Sequence, residues 1–224
     1  MNKLPRGEAM LPLLALALSV LMFIAWPLVD MGVLRRPLIG MVLLVVSLSG
    51  LTAFGLPGRF TRPVLALGGI LFLAQVTVAI WPTPTAGIVN NIAAGVFVLL
   101  LSAVLLTGVM GPGRVTANRI VGAVVVYLLF ALLFALLFDL VERLSPGAFA
   151  IGQDLGTSGW TGWRFLYLSA ITLSSLGLSD MTPVHPFARS LIMMEAILGQ
   201  MYTTVLLARL VSLEVAQQLR TPPS

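Results

Sequence analysis

The sequence predicts an all-α integral membrane protein. The 224 residues are 58% hydrophobic and only 9% charged, whereas a soluble domain carries roughly 25% charged residues. The chain also contains six apolar runs, each close to the roughly 20 residues that a helix needs to cross a bilayer. Because backbone polar groups must be satisfied inside lipid, these runs are expected to form a helical bundle. The runs are Leu11–Val29, Pro37–Phe54, Pro63–Trp81, Ala86–Met110, Val121–Leu140 and Leu191–Leu213.

The basic residues between the runs predict that both termini are cytoplasmic. An even number of spans places both ends of the chain on the same side. With the N-terminus inside, the inner segments carry eight basic residues and the outer segments five, which agrees with the positive-inside rule. Arg35 and Arg36 oppose this arrangement, because it places both of them on the outer side. We interpret the formal charge of +5 as topology and lipid headgroup contact, and not as nucleic-acid binding.

The composition argues against enzyme chemistry. The chain has no cysteine, which excludes disulfides, thiolate metal sites and cysteine nucleophiles. A single histidine, His185, and eight scattered carboxylates leave little for acid–base or metal chemistry. The sequence therefore predicts a protein that is not an enzyme and that needs no cofactor.

The connection between the fifth and sixth runs predicts a re-entrant segment. It is far longer than the other connections, and long loops inside compact proteins are usually functional. Its apolar and aromatic stretch "WTGWRFLYLSAITLSS" is too short to cross a bilayer, and the polar turn "SLGLSD" follows. Non-helical backbone at membrane depth is tolerated only where it is buried in protein or lines a watery cavity. A span, a re-entrant helix, an extended turn and a second span form a pore-like arrangement.

Residues from about Arg119 to Glu214 resemble the pore module of the potassium-channel superfamily, particularly its small bacterial six-helix members. In that family a pore helix ends in a run such as T-x-T-T-V-G-Y-G-D, followed by a proline. The matching run here is "TLSSLGLSD", Thr172–Asp180, and Pro183 follows it. The segment "HPFARSLIMMEAILGQMYTTVLLARLVSLEVAQ" resembles the inner helix, with Glu195 early in it and Gly199 where many members carry a hinge glycine. The segment "NRIVGAVVVYLLFALLFALLF" resembles the outer helix.

The resemblance implies the topology of a voltage-gated channel with two parts. Residues 1–112 would form a four-helix membrane domain, and residues 113–218 a pore domain. Within the pore domain the pore helix would cover 161–175, the filter 175–180 and the inner helix 190–214. The fourth apolar run contains no charged residue. Because a voltage sensor needs charges that cross the field, steep voltage gating through this helix is not expected.

The filter departs from the family's pattern. Gly177 keeps the first filter glycine, but Ser179 replaces the second, Leu178 replaces the tyrosine and Ser175 replaces a threonine. A left-handed conformation costs a non-glycine residue about 1–2 kcal/mol, so strain is expected at Ser179. The turn would then either widen into a weakly selective path or settle into another shape.

The resemblance implies three groups of functional residues. Filter carbonyls would replace the hydration shell of an ion, and a ring of Asp180 carboxylates would concentrate cations at the outer mouth. The alternatives are hydroxyls bonded to backbone carbonyls, a turn-capping or arginine-paired Asp180, and an inner-helix face used for packing. For Glu195 the expected partner is Ser169, Thr172 or a backbone amide. The groups are the filter (Ser175, Leu176, Gly177, Leu178, Ser179, Asp180), the pore helix and filter support (Thr172, Ser174, Glu195), and the inner-helix hinge and cavity (Gly199, Gln200, Thr203).

The leading hypothesis is a homotetrameric cation channel of a bacterial inner membrane. One re-entrant loop cannot enclose a pore, so closed rotational symmetry is required, and the fourfold order follows from the resemblance. Its partners would be its own copies, membrane lipid and monovalent cations, with potassium as the family's ion and sodium as a second candidate. No other metal is expected.

Two other function classes compete with this hypothesis. The chain could be a non-conducting relative that acts as a regulatory or structural membrane subunit, which the altered filter favours. A secondary transporter would require paired interrupted helices in two related halves. The sequence has one such interruption and no internal repeat.

Overall fold

The computed structural model describes residues 10–25, 83–111, 117–151 and 162–218, together with the single residues 28 and 69. Helices dominate these ranges, and a short pair of strands interrupts them. The elements in chain order are α1 (Met10–Val20) with a π-helical turn (Leu21–Ala25), α2 (Pro84–Met110), α3 (Ala117–Leu144), β1 (Phe149–Ile151), α4 (Gly162–Leu173), β2 (Met181–Pro183) and α5 (Pro186–Gln218).

Three of the described helices are long and apolar enough to cross a membrane. Their apolar stretches are Thr85–Met110 in α2, Arg119–Leu144 in α3 and Pro186–Arg209 in α5. They correspond to the fourth, fifth and sixth apolar runs. The second and third runs, residues 37–54 and 63–81, lie outside the described residues except for residue 69, so the count of six spans stays a prediction.

The start of α2 is specified locally. Thr83 is the N-cap, and its Oγ1 accepts a hydrogen bond from the backbone N–H of Ala86 at 3.2 Å. Pro84 occupies the first helical turn. Its missing N–H does not weaken the helix, because N–H groups in the first turn have no carbonyl acceptor within the helix. The helix continues to Met110, and extended backbone at Gly111 ends it.

The central helix of the described bundle is α3, which packs against α1, α2, α4 and α5. A row of aromatic rings attaches α4 to it. The ring centroids of Phe138 and Phe149 lie 5.6 Å apart, and those of Phe149 and Phe165 lie 5.3 Å apart, both in edge-to-face arrangement. All three side chains are fully buried. Because lipid is as apolar as these residues, close packing rather than water exclusion provides their stabilising contribution within the membrane.

The chain before α4 pairs with the chain after it. Strands β1 and β2 are antiparallel, and Ala150 lies opposite Thr182. Just before β1, the carbonyl of Ala148 accepts hydrogen bonds from the N–H groups of Val184 at 2.8 Å and His185 at 3.1 Å. The ladder therefore joins the chain just after α3 to the chain just before α5.

A buried carboxylate supports this closure. Glu142, near the end of α3, accepts a hydrogen bond from the N–H of Gly147 at 2.8 Å and one from the N–H of Phe149 at 3.2 Å. Gly147 has a φ of +86°, a conformation that glycine adopts without a steric penalty. Glu142 thus fixes the turn that leads from α3 into β1.

Both ends of α2 are attached to the pore-like helices. At one end Asn91 donates to Asp139 Oδ2, which also accepts from Arg143 Nε at 2.7 Å. At the other end Arg209 of α5 donates to the carbonyls of Met110 at 2.7 Å and Gly111 at 2.8 Å. Cations are favourable at a helix C-terminus, where carbonyls lack partners within the helix.

Candidate functional site

The structure has a short helix, α4, in the stretch where the sequence predicts a pore helix. Its buried side is formed by Phe165, Leu166, Leu168, Ser169 and Leu173. This side contacts α3 and α5. At 12 residues the helix is about 18 Å long at 1.5 Å per residue, well short of a bilayer. It ends earlier than the predicted boundary at residue 175.

The end of α4 explains that earlier boundary. Ser175 N–H donates to the carbonyl of Thr172 and Leu176 N–H donates to the carbonyl of Ile171, both at 2.9 Å. This pair of bonds is a Schellman motif, in which the residue after the cap takes the left-handed conformation. That residue is Ser175, with a φ of +59°. Glycine usually fills this position because a side chain there is penalised.

The strain expected at Ser179 was a wrong prediction. Among the described residues Ser175 is the one non-glycine residue with a positive φ, and Gly177 follows it with a φ of +67°. The left-handed position therefore lies four residues before the predicted one, because the helix stops at Leu173. Ser179 instead accepts a hydrogen bond on its Oγ from the N–H of Met181 at 2.9 Å, which steers the chain into β2.

The residues from Ser174 to Asp180 are all exposed in the single chain. Their two leucine side chains are open despite being apolar, with 65% of Leu176 and 74% of Leu178 accessible. Ser174 Oγ donates to the carbonyl of Ala170 at 2.7 Å, so this hydroxyl is used inside the helix. Asp180 forms no hydrogen bond or ion pair with the described residues.

The carbonyl groups of the loop fall into two kinds. The carbonyl of Leu178 accepts a hydrogen bond from the phenol of Tyr167 in α4 at 3.2 Å. The carbonyls of Ser175, Leu176 and Gly177 receive no hydrogen bond from the described part of the chain. Among the described residues these three consecutive carbonyl oxygens, just after the end of α4, therefore have no hydrogen-bond donor.

Helix α4 packs against one face of α5. Successive contacts between them are spaced about one helical turn apart in each helix. The carboxyl of Glu195 is hydrogen-bonded to the hydroxyl of Ser169, which is one of the partners expected from the sequence. One turn further, Gly199 faces the carbonyl of Leu173. Gln200 Oε1 then lies 3.5 Å from Ser175 Oγ, at the long limit of a hydrogen bond. Thr172 is buried beside these contacts.

At Gly199 the end of α4 approaches the backbone of α5 closely. A Cβ atom built at Gly199 would stand 2.2 Å from the carbonyl oxygen of Leu173, far inside van der Waals contact. Helix α5 runs without interruption from Pro186 to Gln218. Close approach is therefore a sufficient reason for glycine here, and the hinge role stays a prediction.

The remaining predicted residues of α5 lie on its exposed side. Gln200 and Thr203 are exposed in the single chain. Thr203 Oγ1 is within 3.1 Å of the carbonyls of both Gly199 and Gln200, and Thr204 Oγ1 donates to the carbonyl of Gln200 at 2.8 Å. Both hydroxyls are thus satisfied within the helix, which is common for such residues in apolar helices.

Three contacts around the candidate site were not predicted from the sequence. Tyr167 belongs to the aromatic stretch noted in the sequence, and the carbonyl that it binds becomes visible only once the loop is folded. Glu142 was not singled out, although a carboxylate at the end of an apolar run is a signal in itself. Tyr202 was also missed; its phenol donates to the carbonyl of Ala123 in α3 at 2.8 Å.

Comparison with known families identifies the segment that contains these elements. Residues 122–215 match the family described as "Ion channel". This segment is similar to an ion channel domain, which agrees with the resemblance to the potassium-channel superfamily. The matched segment covers less than half of the 224 residues and runs from α3 through α4 and the loop into α5. No curated protein and no solved structure matches the chain.

The family match and the apolar helices together make this an integral membrane protein with an ion channel domain. They also confirm the resemblance from which the functional expectations were taken. The roles of the individual filter residues stay predictions.

Proposed function

We propose that four copies of the chain form a passive channel for monovalent cations. The ion path would run along the loop 175–180 and then between the α5 helices. The observation that carries this proposal is that the carbonyls of Ser175, Leu176 and Gly177 accept no hydrogen bond from any described residue. Rings of backbone carbonyls can replace the water that a cation loses on entering a filter.

A closed ring of copies is part of the proposal. One loop surrounds nothing, so a pore requires rotational symmetry. The loop and the side of α5 that carries Gln200 and Thr203 are both exposed in the single chain, as they would be if they faced other copies or the central path. The fourfold order is taken from the potassium-channel superfamily.

We propose weak discrimination between potassium and sodium. The carbonyl of Leu178 is engaged by Tyr167 of the same chain, which shortens the run of carbonyls left for an ion. Leu178 also has no hydroxyl with which to fix the loop from the side. Fewer coordinating dipoles in a less constrained loop favour permeation without strong selection by size.

The proposal includes the wider arrangement expected from the sequence. Residues 1–112 would form the peripheral membrane domain and residues 113–218 the pore domain, with both termini in the cytoplasm of a bacterial cell. Helix α2 contains no charged residue, so the part of the peripheral domain that is described offers no gating charge.

Cysteine substitution in liposomes tests the proposed path. The chain has no native cysteine, so a single one can be introduced at Gln200 and modified with a bulky thiol reagent. We expect modification to abolish most of the potassium flux, because the added group would fill the space between the α5 helices. The matched control is Leu99→Cys, at an exposed position on α2, where modification should leave the flux unchanged. Equal effects at the two positions would remove Gln200 from the path.

A second candidate function is a non-conducting subunit that retained the channel fold. The observation that favours it is the Tyr167–Leu178 contact together with two exposed leucine side chains in the loop. A protein of this kind would form oligomers in liposomes and pass no cation, with or without the cysteine reagent.

A further inference from the structure

The hydroxyl of Ser169 in α4 lies between two oxygen atoms from other helices. Its Oγ stands 2.7 Å from the carbonyl oxygen of Ala131 in α3, and it is also hydrogen-bonded to Oε1 of Glu195 in α5. A hydroxyl group has one proton to donate, and a carbonyl oxygen has none. Two short oxygen–oxygen contacts at one hydroxyl therefore need a second proton, and Glu195 is the group that can hold it.

The surroundings of Glu195 favour the neutral form of its side chain. The residue is fully buried, and its second oxygen, Oε2, has no hydrogen-bond partner among the described residues. The ion pair found in the described part of the chain joins Arg143 to Asp139, so it does not involve Glu195. From α3 the phenol of Tyr127 interacts electrostatically with Glu195, and a phenol offers no positive charge. An ionised carboxylate with one bare oxygen inside a membrane protein would be strongly disfavoured.

We propose that Glu195 is a neutral carboxylic acid that donates its proton from Oε1 to Ser169 Oγ, while Ser169 donates its own proton to the carbonyl of Ala131. This arrangement satisfies both contacts with one proton each. It joins α5, α4 and α3 at a single buried point, through a chain of two hydrogen bonds that run in the same direction.

This chain of two hydrogen bonds makes Glu195 a positioning residue for the loop. Glu195 lies one turn before Gly199 in α5. The acid holds the middle of α4 against α5 through Ser169, and Gly199 leaves room for the C-terminal end of α4. These two contacts fix where α4 ends, and they therefore set the position of the loop that begins at Ser174. A neutral acid can do this without a cation beside the proposed ion path. The inference concerns the folded chain and stands or falls independently of conduction.

Infrared spectroscopy of the purified protein in liposomes tests the protonation state at neutral pH. We expect the C=O stretching band of a protonated carboxylic acid in the wild-type protein. The band should be lost in Glu195→Gln and retained in Asp180→Asn, which alters an exposed carboxylate. Absence of the band from the wild type, or its persistence in Glu195→Gln, would overturn the proposal.

Two further measurements apply if Glu195→Gln fails to fold. In wild-type protein labelled with ¹³C at the glutamate side-chain carboxyl carbons, the band should move to lower wavenumber. A band from an aspartic acid would not move. In Ser169→Ala the band should move to higher wavenumber, because the acid loses its hydrogen-bond acceptor. A band that ignores both changes belongs to another residue and overturns the assignment.

The folded state offers a separate comparison. The amide of Gln can donate to Ser169 in place of the acid proton, so Glu195→Gln should retain the thermal stability of the oligomer. Glu195→Leu leaves Ser169 without that donor and should lower the stability. Equal losses in the two variants would contradict a donor role for Glu195.

Discussion

The two halves of the segment that follows α4 differ in how firmly the chain holds them. The outer half pairs with β1, takes a side-chain bond at Ser179 and ends on the carbonyl of Ala148. The inner half, from Ser175 to Leu178, is exposed and is held by the helix-ending bonds and one phenol. The contrast indicates that the scaffold around the loop is strongly specified, while the loop itself depends on few contacts.

This difference bears on the filter that the resemblance implies. Leu178 and Ser179 stand where the resemblance places the family's tyrosine and second glycine, and they lie at the junction of the two halves. Ser179 accepts a bond from Met181 of β2, and Leu178 leaves its side chain exposed, so we expect these two residues to affect the loop more than the scaffold. Four variants test this difference between the two halves.

The largest expected effect comes from the support of the outer half. Glu142→Ala removes the acceptor of the Gly147 and Phe149 N–H groups. The loss of the Gly147 bond and the unpaired, buried Phe149 N–H should together lower the free energy of unfolding by about 3 kcal/mol. Thermal unfolding of the oligomer in detergent measures this change. Asp180→Ala, at an exposed carboxylate in the loop, is the matched control and should be near neutral. If both variants were equally stable, the outer half would not depend on Glu142.

The next largest loss of stability is expected where the end of α4 packs against α5. Gly199→Ala would place a methyl group 2.2 Å from the carbonyl oxygen of Leu173, and such overpacking should cost about 2 kcal/mol per chain. The control is Gly95→Ala in α2, where an added Cβ has no atom within 4 Å. Stability measurements should show a loss for the first variant and none for the second. A tolerated Gly199→Ala with unchanged flux would show that α4 can move off α5.

A smaller effect, of opposite sign, is expected at the start of the inner half. Ser175→Gly relieves the left-handed conformation at the end of α4 and should raise the free energy of unfolding by about 1 kcal/mol. Ser174→Gly is the neighbouring control, since it removes the bond to Ala170 and should destabilise. The melting temperatures of the two variants should therefore move in opposite directions. A destabilised Ser175→Gly would argue against the helix ending described above.

The smallest effect on stability tests the single phenol that holds the inner half. Tyr167→Phe releases the carbonyl of Leu178 and should cost about 0.5–1 kcal/mol of stability, while it changes the ratio of potassium to sodium flux. Tyr202→Phe removes a comparable bond, to Ala123, away from the loop. We expect it to cost similar stability without changing the flux ratio. Identical flux ratios in both variants would separate the Tyr167 contact from selectivity.

The apolar pattern predicted the membrane helices well where the structure describes them. The run Ala86–Met110 corresponds to α2, and Val121–Leu140 and Leu191–Leu213 fall inside α3 and α5. Hydropathy placed the helices but missed both ends of α3 and α5, because polar residues continue the hydrogen-bonded turns beyond the apolar core. Arg143 illustrates this: it belongs to the last turn of α3 and pairs with Asp139 one turn earlier.

The rest of the site could not be read from the sequence for physical reasons. Strands of three residues, such as β1 and β2, are too short to show an alternating pattern. The helix-ending position at Ser175 depends on which residue closes the last turn of α4, and the sequence placed that boundary two residues late. The expected strain was therefore assigned to Ser179, where glycine stands in the family, and not to the residue that terminates the helix.

Electrical recording from the purified protein in planar bilayers tests the central claim most directly. With different potassium chloride concentrations on the two sides, we predict currents whose reversal potential moves toward the potassium equilibrium potential. With potassium chloride facing sodium chloride at equal concentration, we predict a reversal potential near zero, as expected for a cation path with weak selectivity. A reversal potential that follows chloride, or an oligomer that carries no current under either condition, would contradict the account.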